Sequence, residues 1–201
     1  MSDDDFSQLQ FKDAAPVTAG RPWPRYFARM LDSLLFGIVG IFILTIALAI
    51  TTKTGADRLI AMTTGVGGLF VSNVLTFLLA LLPIAFFIAL AQTPGKWLFG
   101  IRVRNPDGSR LGFAKSLKRE GWVIMRGLGF GIPLVSLGTL ATSYACLKDD
   151  GYAPWDRRLG CEVRHVPATW FWWVRATFGA LLFFIVNFWG YFSLVKSMAA
   201  G

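Results

Sequence analysis

The strongest constraint in this sequence is an uninterrupted apolar run from Ser33 to Thr52. The run contains no charged residue, and Leu, Ile, Phe and Val dominate it. A helix of about 20 residues rises ~30 Å, which is the thickness of the hydrocarbon core of a lipid bilayer. The run therefore predicts a membrane-spanning helix, and with it a chain that folds in a bilayer.

The composition of the whole chain favours a membrane protein over a nucleic-acid-binding one. Charged residues make up only 16% of the sequence, whereas a soluble domain carries about a quarter. The net charge is +8, but the basic residues lie in the loops between apolar runs, where the positive-inside rule puts them. Because no basic helix or base-stacking motif is visible, we predict a lipid bilayer as the partner and no nucleic acid.

Further apolar runs predict more spans by the same reasoning. The second span covers Leu69–Leu90 and the last covers Ala176–Val195. A charge-free, glycine-rich run over Gly127–Leu147 fits either a crossing or a broken helical hairpin that returns to the same side. The distribution of Lys and Arg slightly favours the return, whereas the acidic residues of the next loop and the length of the run favour a crossing. We predict an all-α membrane protein, a polytopic helical bundle with three to four spans.

The first residues indicate how the bundle is oriented. Residues 1–20 are acidic at first and then low in pattern, which predicts a disordered tail, and they lack the basic region of a cleaved signal peptide. Arg21, Arg25 and Arg29 precede the first span, so the positive-inside rule predicts a cytoplasmic N-terminus. The segment Lys53–Gly68 is then expected to be a short external loop.

Three short strands and one helix are predicted outside the spans. The turn signal Asn105-Pro106-Asp107-Gly108 lies between Ile101–Arg104 and Arg110–Phe113, which predicts a small cytoplasmic β-hairpin. A strand over Cys161–Val166 would add to the edge of that hairpin if its loop is cytoplasmic. Between them, Ala114–Arg126 mixes cations with apolar residues and predicts an interfacial helix. Its lipid-facing residues would be Phe113, Leu117, Trp122 and Ile124.

Charged residues near the start of the first span are the candidate functional site. Arg29 and Asp32 are three residues apart and therefore share one face of the helix. A lone Asp at the entrance to an apolar span is costly unless something pairs with it. Arg119 and Arg126 are seven residues apart and also share a helical face.

No motif for catalysis, a cofactor or a metal is found. Gly95-Lys96 lacks the first glycine of a phosphate-binding loop, and Trp97 stands where that loop needs Ser or Thr. His165 is the single histidine, and Cys146 and Cys161 have no metal-ligand spacing, so they are expected to be free thiols. Because no nucleophile–base pair is visible either, we predict that the protein is not an enzyme and binds no metal or cofactor.

Three separated motifs resemble the RDD family of bacterial membrane proteins, which is named for one Arg and two Asp. The first motif is Ala28-Arg29-Met30-Leu31-Asp32, and the third is Trp155-Asp156-Arg157 with Gly160. Between them stands Thr93-Pro94-Gly95-Lys96 with Gly100-Ile101-Arg102-Val103 and Asp107-Gly108. By position, the name residues are Arg29, Asp32 and Asp156. The sequence departs from the family at Trp155-Asp156 and Gly160-Cys161, where His-Asp and Gly-Thr are usual.

The resemblance implies a domain division and a location. It covers residues 21–166, which would form the membrane domain, while residues 167–201 would add an extra C-terminal transmembrane helix. It implies a multi-pass protein of the bacterial cytoplasmic membrane. Transport, including sodium–proton exchange, has been proposed for some members of the family.

Two functions remain open at this point. In the first, Asp32 binds a proton or ion during transport of a small solute or ion, and a charge network sets its state. That network would consist of Arg29, Asp32, Arg119, Arg126 and Asp156. In the second, the same residues form a fixed ion-pair network in a membrane scaffold or assembly factor, with a protein partner at its cytoplasmic loops. A transporter of this size would need to form a homo-oligomer to enclose a pathway.

Overall fold

A computed structural model describes residues 21–63 and 65–199, so the predicted tail over residues 1–20 lies outside the described residues. Helices dominate this part of the chain. In order they are α1 (Pro22–Thr51), α2 (Gly55–Thr63), α3 (Gly65–Leu90), α4 (Pro94–Leu98), α5 (Phe113–Arg126), α6 (Pro133–Asp149), α7 (Pro154–Leu159) and α8 (Trp170–Ala199). Strand β1 (Ile101–Arg104) follows α4, and strand β2 (Glu162–His165) follows α7.

The apolar runs form long helices, as predicted. By length and composition, Pro22–Thr51 and Phe70–Leu90 can cross a membrane, and α8 contains a shorter apolar stretch over Trp170–Val186. Large hydrophobic side chains such as Phe42 and Phe188 lie more than half exposed on these helices. An exposed apolar surface of this extent is typical of a face that contacts lipid or another protein.

Helices α1 and α3 approach each other closely because α1 carries glycines at the contact. A Cβ on Gly37 would lie 2.9 Å from the carbonyl oxygen of Thr76, and one on Gly40 would lie 2.8 Å from the Cβ of Leu79. Small residues permit this kind of close packing between helices in a membrane. The segment between the two helices was predicted to be a loop, and this is wrong, because Gly55–Thr63 forms α2. Asp57 in the first turn of α2 stabilises its positive N-terminal end.

The two strands pair with each other in an antiparallel sheet. Ile101 lies opposite His165 and Val103 lies opposite Val163. The predicted hairpin with Arg110–Phe113 is therefore wrong, whereas the strand near residues 161–166 does join β1. Gly108, with a φ of +81°, makes the predicted turn. The chain then leaves the sheet because Leu111 is buried in an apolar cluster with Ile84 and Ile88 of α3.

Helix α5 begins one residue before the predicted Ala114 and ends at Arg126 as predicted, but much of its surface is covered by protein. Ile124, which was expected to lie on lipid, is buried against Phe77 and Leu128. Arg119 and Glu120 are also buried. The interfacial prediction is therefore wrong for this face, because α3 and the following segments pack onto it.

After α5 the chain turns back on itself. A short 3₁₀ helix over Gly129–Gly131 has positive φ angles at both glycines. Helix α6 then runs back beside the end of α5, where the hydroxyls of Thr139 and Ser143 donate to the carbonyls of Gly127 and Arg126. Helix α7 next packs against α5.

Candidate functional site

Charged side chains from four helices meet beside the start of α1. The first turns of α1 contribute Arg25, Arg29 and Asp32, whereas later segments contribute the rest. We call this group the charge cluster, and its seven members are Arg25, Arg29, Asp32, Lys96, Arg119, Glu120 and Asp156. Six of them are more than nine-tenths buried, and Arg25 is partly buried.

Asp32 is fully buried and is held by the segment that precedes β1. Its Oδ2 accepts a hydrogen bond from the Thr93 hydroxyl at 2.5 Å, and its Oδ1 accepts one from the backbone N–H of Gly95 at 2.6 Å. The Nζ of Lys96 lies 3.6 Å from Oδ2. The carboxylate thus has two donors and a counter-ion, which offsets the cost of removing it from water.

The chemistry of Thr93-Pro94-Gly95-Lys96 explains how this segment holds Asp32. Thr93 is the N-cap of α4 and accepts from the N–H of Lys96, while Pro94 occupies the first helical position, where its missing N–H costs nothing. Gly95 packs directly on α1, because a Cβ there would lie 2.8 Å from the Oδ1 of Asp32. The first turn of α4 therefore packs directly against the buried carboxylate of Asp32.

The other two carboxylates lie between arginines. Glu120 pairs with Arg29 and, at 2.8 Å, with Arg119. Asp156 accepts from the Nε of Arg119 at 2.7 Å and from Arg25 at 3.4 Å. Arg119 thus bridges both acids and joins α1, α5 and α7 in one network.

The predicted residues are brought together only in part. Arg29, Asp32, Arg119 and Asp156 all belong to the charge cluster, but Arg29 and Asp32 bind different partners. Among the ion pairs of the described residues, no cation pairs with both Asp32 and Asp156. Arg126 lies outside the cluster, exposed, with its guanidinium 4.8 Å from the ring of Trp122.

Three of the predicted motif residues shape turns away from the cluster. Asp107 accepts from the N–H and hydroxyl of Ser109 within the turn after β1, and Gly108 supplies its positive φ. Gly160 ends α7 in the left-handed conformation that favours glycine. These residues therefore shape loops and do not contact the buried charges.

Sequence reasoning missed Glu120, Arg25 and His165. Glu120 follows Arg119 as the one acid of a basic helix, and that isolated acid was a usable signal. His165 was judged only as a metal ligand, yet its Nε2 accepts from the Nε of Arg25 at 3.2 Å. Because Nε2 is the acceptor, the proton of the neutral imidazole ring is on Nδ1.

Burial lowers the pKa of two groups that lie outside the long apolar helices. Burial, together with Arg29 and Arg119, lowers the pKa of Lys96 to about 7, although Asp32 opposes the shift. Burial lowers the pKa of His165 to about 3, with further contributions from Arg25 and Arg21. Lys96 thus titrates near neutral pH, while His165 remains uncharged there.

No metal centre is formed by the described residues, since they contain no group of three or more His, Cys, Asp or Glu side chains that could hold an ion. Cys146 and Cys161 are free thiols, as predicted. The chemistry available is therefore that of a proton-binding lysine among fixed, buried ion pairs.

Long apolar helices with large exposed hydrophobic side chains are typical of helical membrane proteins. The family model of the RDD family matches residues 19–160. The chain therefore belongs to the RDD family, as its motifs predicted, and family membership and apolar helices together indicate a membrane protein. No curated protein and no solved structure matches the chain.

Proposed function

We propose that this RDD protein moves a small solute or ion across the bacterial cytoplasmic membrane, with the Lys96–Asp32 pair as the proton-responsive element. One observation carries the proposal: the amine of Lys96 is buried 3.6 Å from the Asp32 carboxylate beside the start of the first span, where burial lowers the pKa of Lys96 to about 7. Titratable groups held at membrane depth are common in proton-coupled pathways.

The coupling follows from the two environments available to Lys96. In the buried arrangement its pKa is about 7, whereas its ordinary value is 10.5. A rearrangement that lets water reach the amine would raise its pKa, so Lys96 would take up a proton at neutral pH. Proton binding would then favour the open arrangement, and this is how a proton gradient can drive movement.

We propose three crossings, by α1, α3 and the last helix, with the N-terminus and the charge cluster on the cytoplasmic side. The basic segments around Lys96–Arg119 and Arg157–Arg164 then share that side, as the positive-inside rule favours. The helices leave large apolar faces exposed, which supports a homo-oligomer that encloses a pathway between subunits.

The test is ion flux in proteoliposomes with a pH-sensitive dye inside. We expect wild-type protein to couple dye response to an imposed ion gradient, and Asp32→Asn and Lys96→Gln to abolish the coupling. Arg126→Gln is the control, because Arg126 lies outside the charge cluster. Unchanged coupling in Asp32→Asn would refute the proposal.

A second candidate is a non-transporting scaffold with a protein partner at the cytoplasmic loops. Its support is that every carboxylate of the cluster has two or more partners on different segments, as a fixed clamp requires. If wild-type protein moves no ions and repeatedly isolates with one partner, the scaffold replaces the transporter. In both cases we propose that the protein is not an enzyme.

A further inference from the structure

A small cavity lies inside the charge cluster. Its volume is about 70 Å³, which corresponds to roughly two water molecules at ~30 Å³ each. The polar part of its wall is strongly basic, since four cations and one carboxylate line it. These residues are Arg25, Arg29, Lys96, Arg119 and Asp156.

Arg29 lines this cavity, and two of its hydrogen-bond donors are unused. Its residue is 8% exposed, and one terminal nitrogen pairs with Glu120. Its Nε and Nη2 are buried and donate to no acceptor among the described residues. A guanidinium keeps its charge and its five donors in a protein, and a buried donor without an acceptor costs free energy. The Oε2 of Glu120 is the acceptor that the described residues bring to Arg29, and it leaves Nε and Nη2 without one.

The charge balance of the cluster points the same way. Below about pH 7, where Lys96 is charged, four cations face three carboxylates within the described residues, and His165 is neutral. Asp32 is occupied by Thr93, Gly95 and Lys96, and Glu120 and Asp156 are each occupied by two arginines. One positive charge is therefore left without a counter-charge in a site of low polarity, where that imbalance is costly.

We infer that this cavity binds a small monovalent anion of the size of chloride or nitrate, with the Arg29 guanidinium as its principal donor. A cation is excluded by the excess of positive charge around the cavity. An anion as large as gluconate is excluded by the volume of about 70 Å³. The inference concerns binding and goes beyond the proposed transport, since a protein that moves nothing can hold such an ion.

Anion binding is linked to the protonation of Lys96. The groups that face Lys96 are Asp32 and Arg29 on α1 and Arg119 on α5, and Asp156 on α7 lines the same cavity. An anion in the cavity favours the charged form of Lys96 and raises its pKa. Affinity is therefore full below about pH 7 and falls as the pH rises above it, by up to tenfold per pH unit.

The experiment measures anion binding to the full chain in nanodiscs by isothermal titration. Sodium chloride and sodium nitrate are the ligands, and sodium gluconate keeps the sodium concentration and ionic strength constant. We expect wild-type protein to bind chloride and nitrate at pH 6.5 and more weakly at pH 8.5. No binding at pH 6.5, or equal affinity at both pH values, would overturn the inference.

Two substitutions should act in opposite directions. Arg29→Gln removes the principal donor and is expected to weaken binding by roughly tenfold or more. Asp156→Asn removes a negative charge from the cavity wall and is expected to tighten binding. If Arg29→Gln does not fold, Asp156→Asn alone tests the anion site. Weaker or unchanged anion binding by Asp156→Asn would contradict the charge argument. Arg126→Gln, outside the cavity, should bind as the wild type does.

The binding and transport proposals fail separately. Anion binding without coupled flux would leave the anion site in place and refute transport. Coupled flux without anion binding would refute the anion site and leave transport in place.

Discussion

The free energy of unfolding of this protein should rise with pH above neutrality because of Lys96, and replacing Lys96 by Met should remove that contribution. The pKa of Lys96 is about 7 in the folded protein, whereas the pKa of an exposed lysine is 10.5. Between these values the unfolded chain binds more protons than the folded one, so the free energy of unfolding rises with pH. The penalty of burying the charged amine is complete below pH 7 and is relieved as the pH rises toward 10.5.

The size of the effect follows from the same numbers. Well inside this range, one proton of difference gives about 1.4 kcal/mol per pH unit. For a chain of this length, each kcal/mol changes Tm by about 2–4 °C. Wild-type Tm should therefore rise by about 3–5 °C per pH unit through Lys96 alone, while Lys96→Met lacks this contribution. Asp32 keeps the Thr93 and Gly95 hydrogen bonds in the variant, which supports folding.

The assay is thermal unfolding of both proteins in the same detergent at one scan rate, from pH 7.5 to 9. Gluconate buffers exclude small anions that would raise the pKa of Lys96. Other titrating groups are common to both proteins, so the difference between the two slopes isolates Lys96. Parallel slopes would refute a Lys96 that titrates near neutrality in the folded protein.

Three further predictions test the packing and the topology. Gly95→Ala should greatly reduce the amount of folded protein, since its Cβ would meet Asp32. Gly121→Ala, which has open space around it, should instead stabilise α5 by roughly 1 kcal/mol. Size-exclusion chromatography and Tm measurements compare the two variants. Arg119→Gln should lower the free energy of unfolding by about 3–5 kcal/mol because it leaves buried carboxylates unpaired. Arg126→Gln should lower it by about 0.5 kcal/mol or less. Similar losses in the two variants would contradict the ion pairs of the charge cluster. A cysteine at the exposed Arg157 should react with an impermeant maleimide only from the cytoplasmic side of vesicles, and labelling from outside would contradict the returning form of residues 127–147.

The long apolar helices and the helix at Phe113–Arg126 could be predicted from local patterns, because hydrophobic run length and amphipathic spacing act over neighbouring residues. The partner of β1 could not be predicted in this way. The turn at Asp107-Gly108 exists, yet burial of Leu111 on α3 takes the next residues away from the sheet. Both residues 110–113 and residues 161–166 fitted a strand by their local sequence, and burial in the tertiary structure decided which of them pairs with β1.

The sequence by itself determined that this chain has long apolar helices, belongs to the RDD family and carries that family's motifs around Arg29, Asp32 and Asp156. Only the tertiary structure decided which charges meet. Arg29 binds Glu120, Asp32 binds the Thr93–Lys96 segment, and Asp156 binds Arg119. The reason is physical: the spacing of residues along one helix defines which face they share, whereas the partner of a buried charge depends on which distant segments pack onto that face.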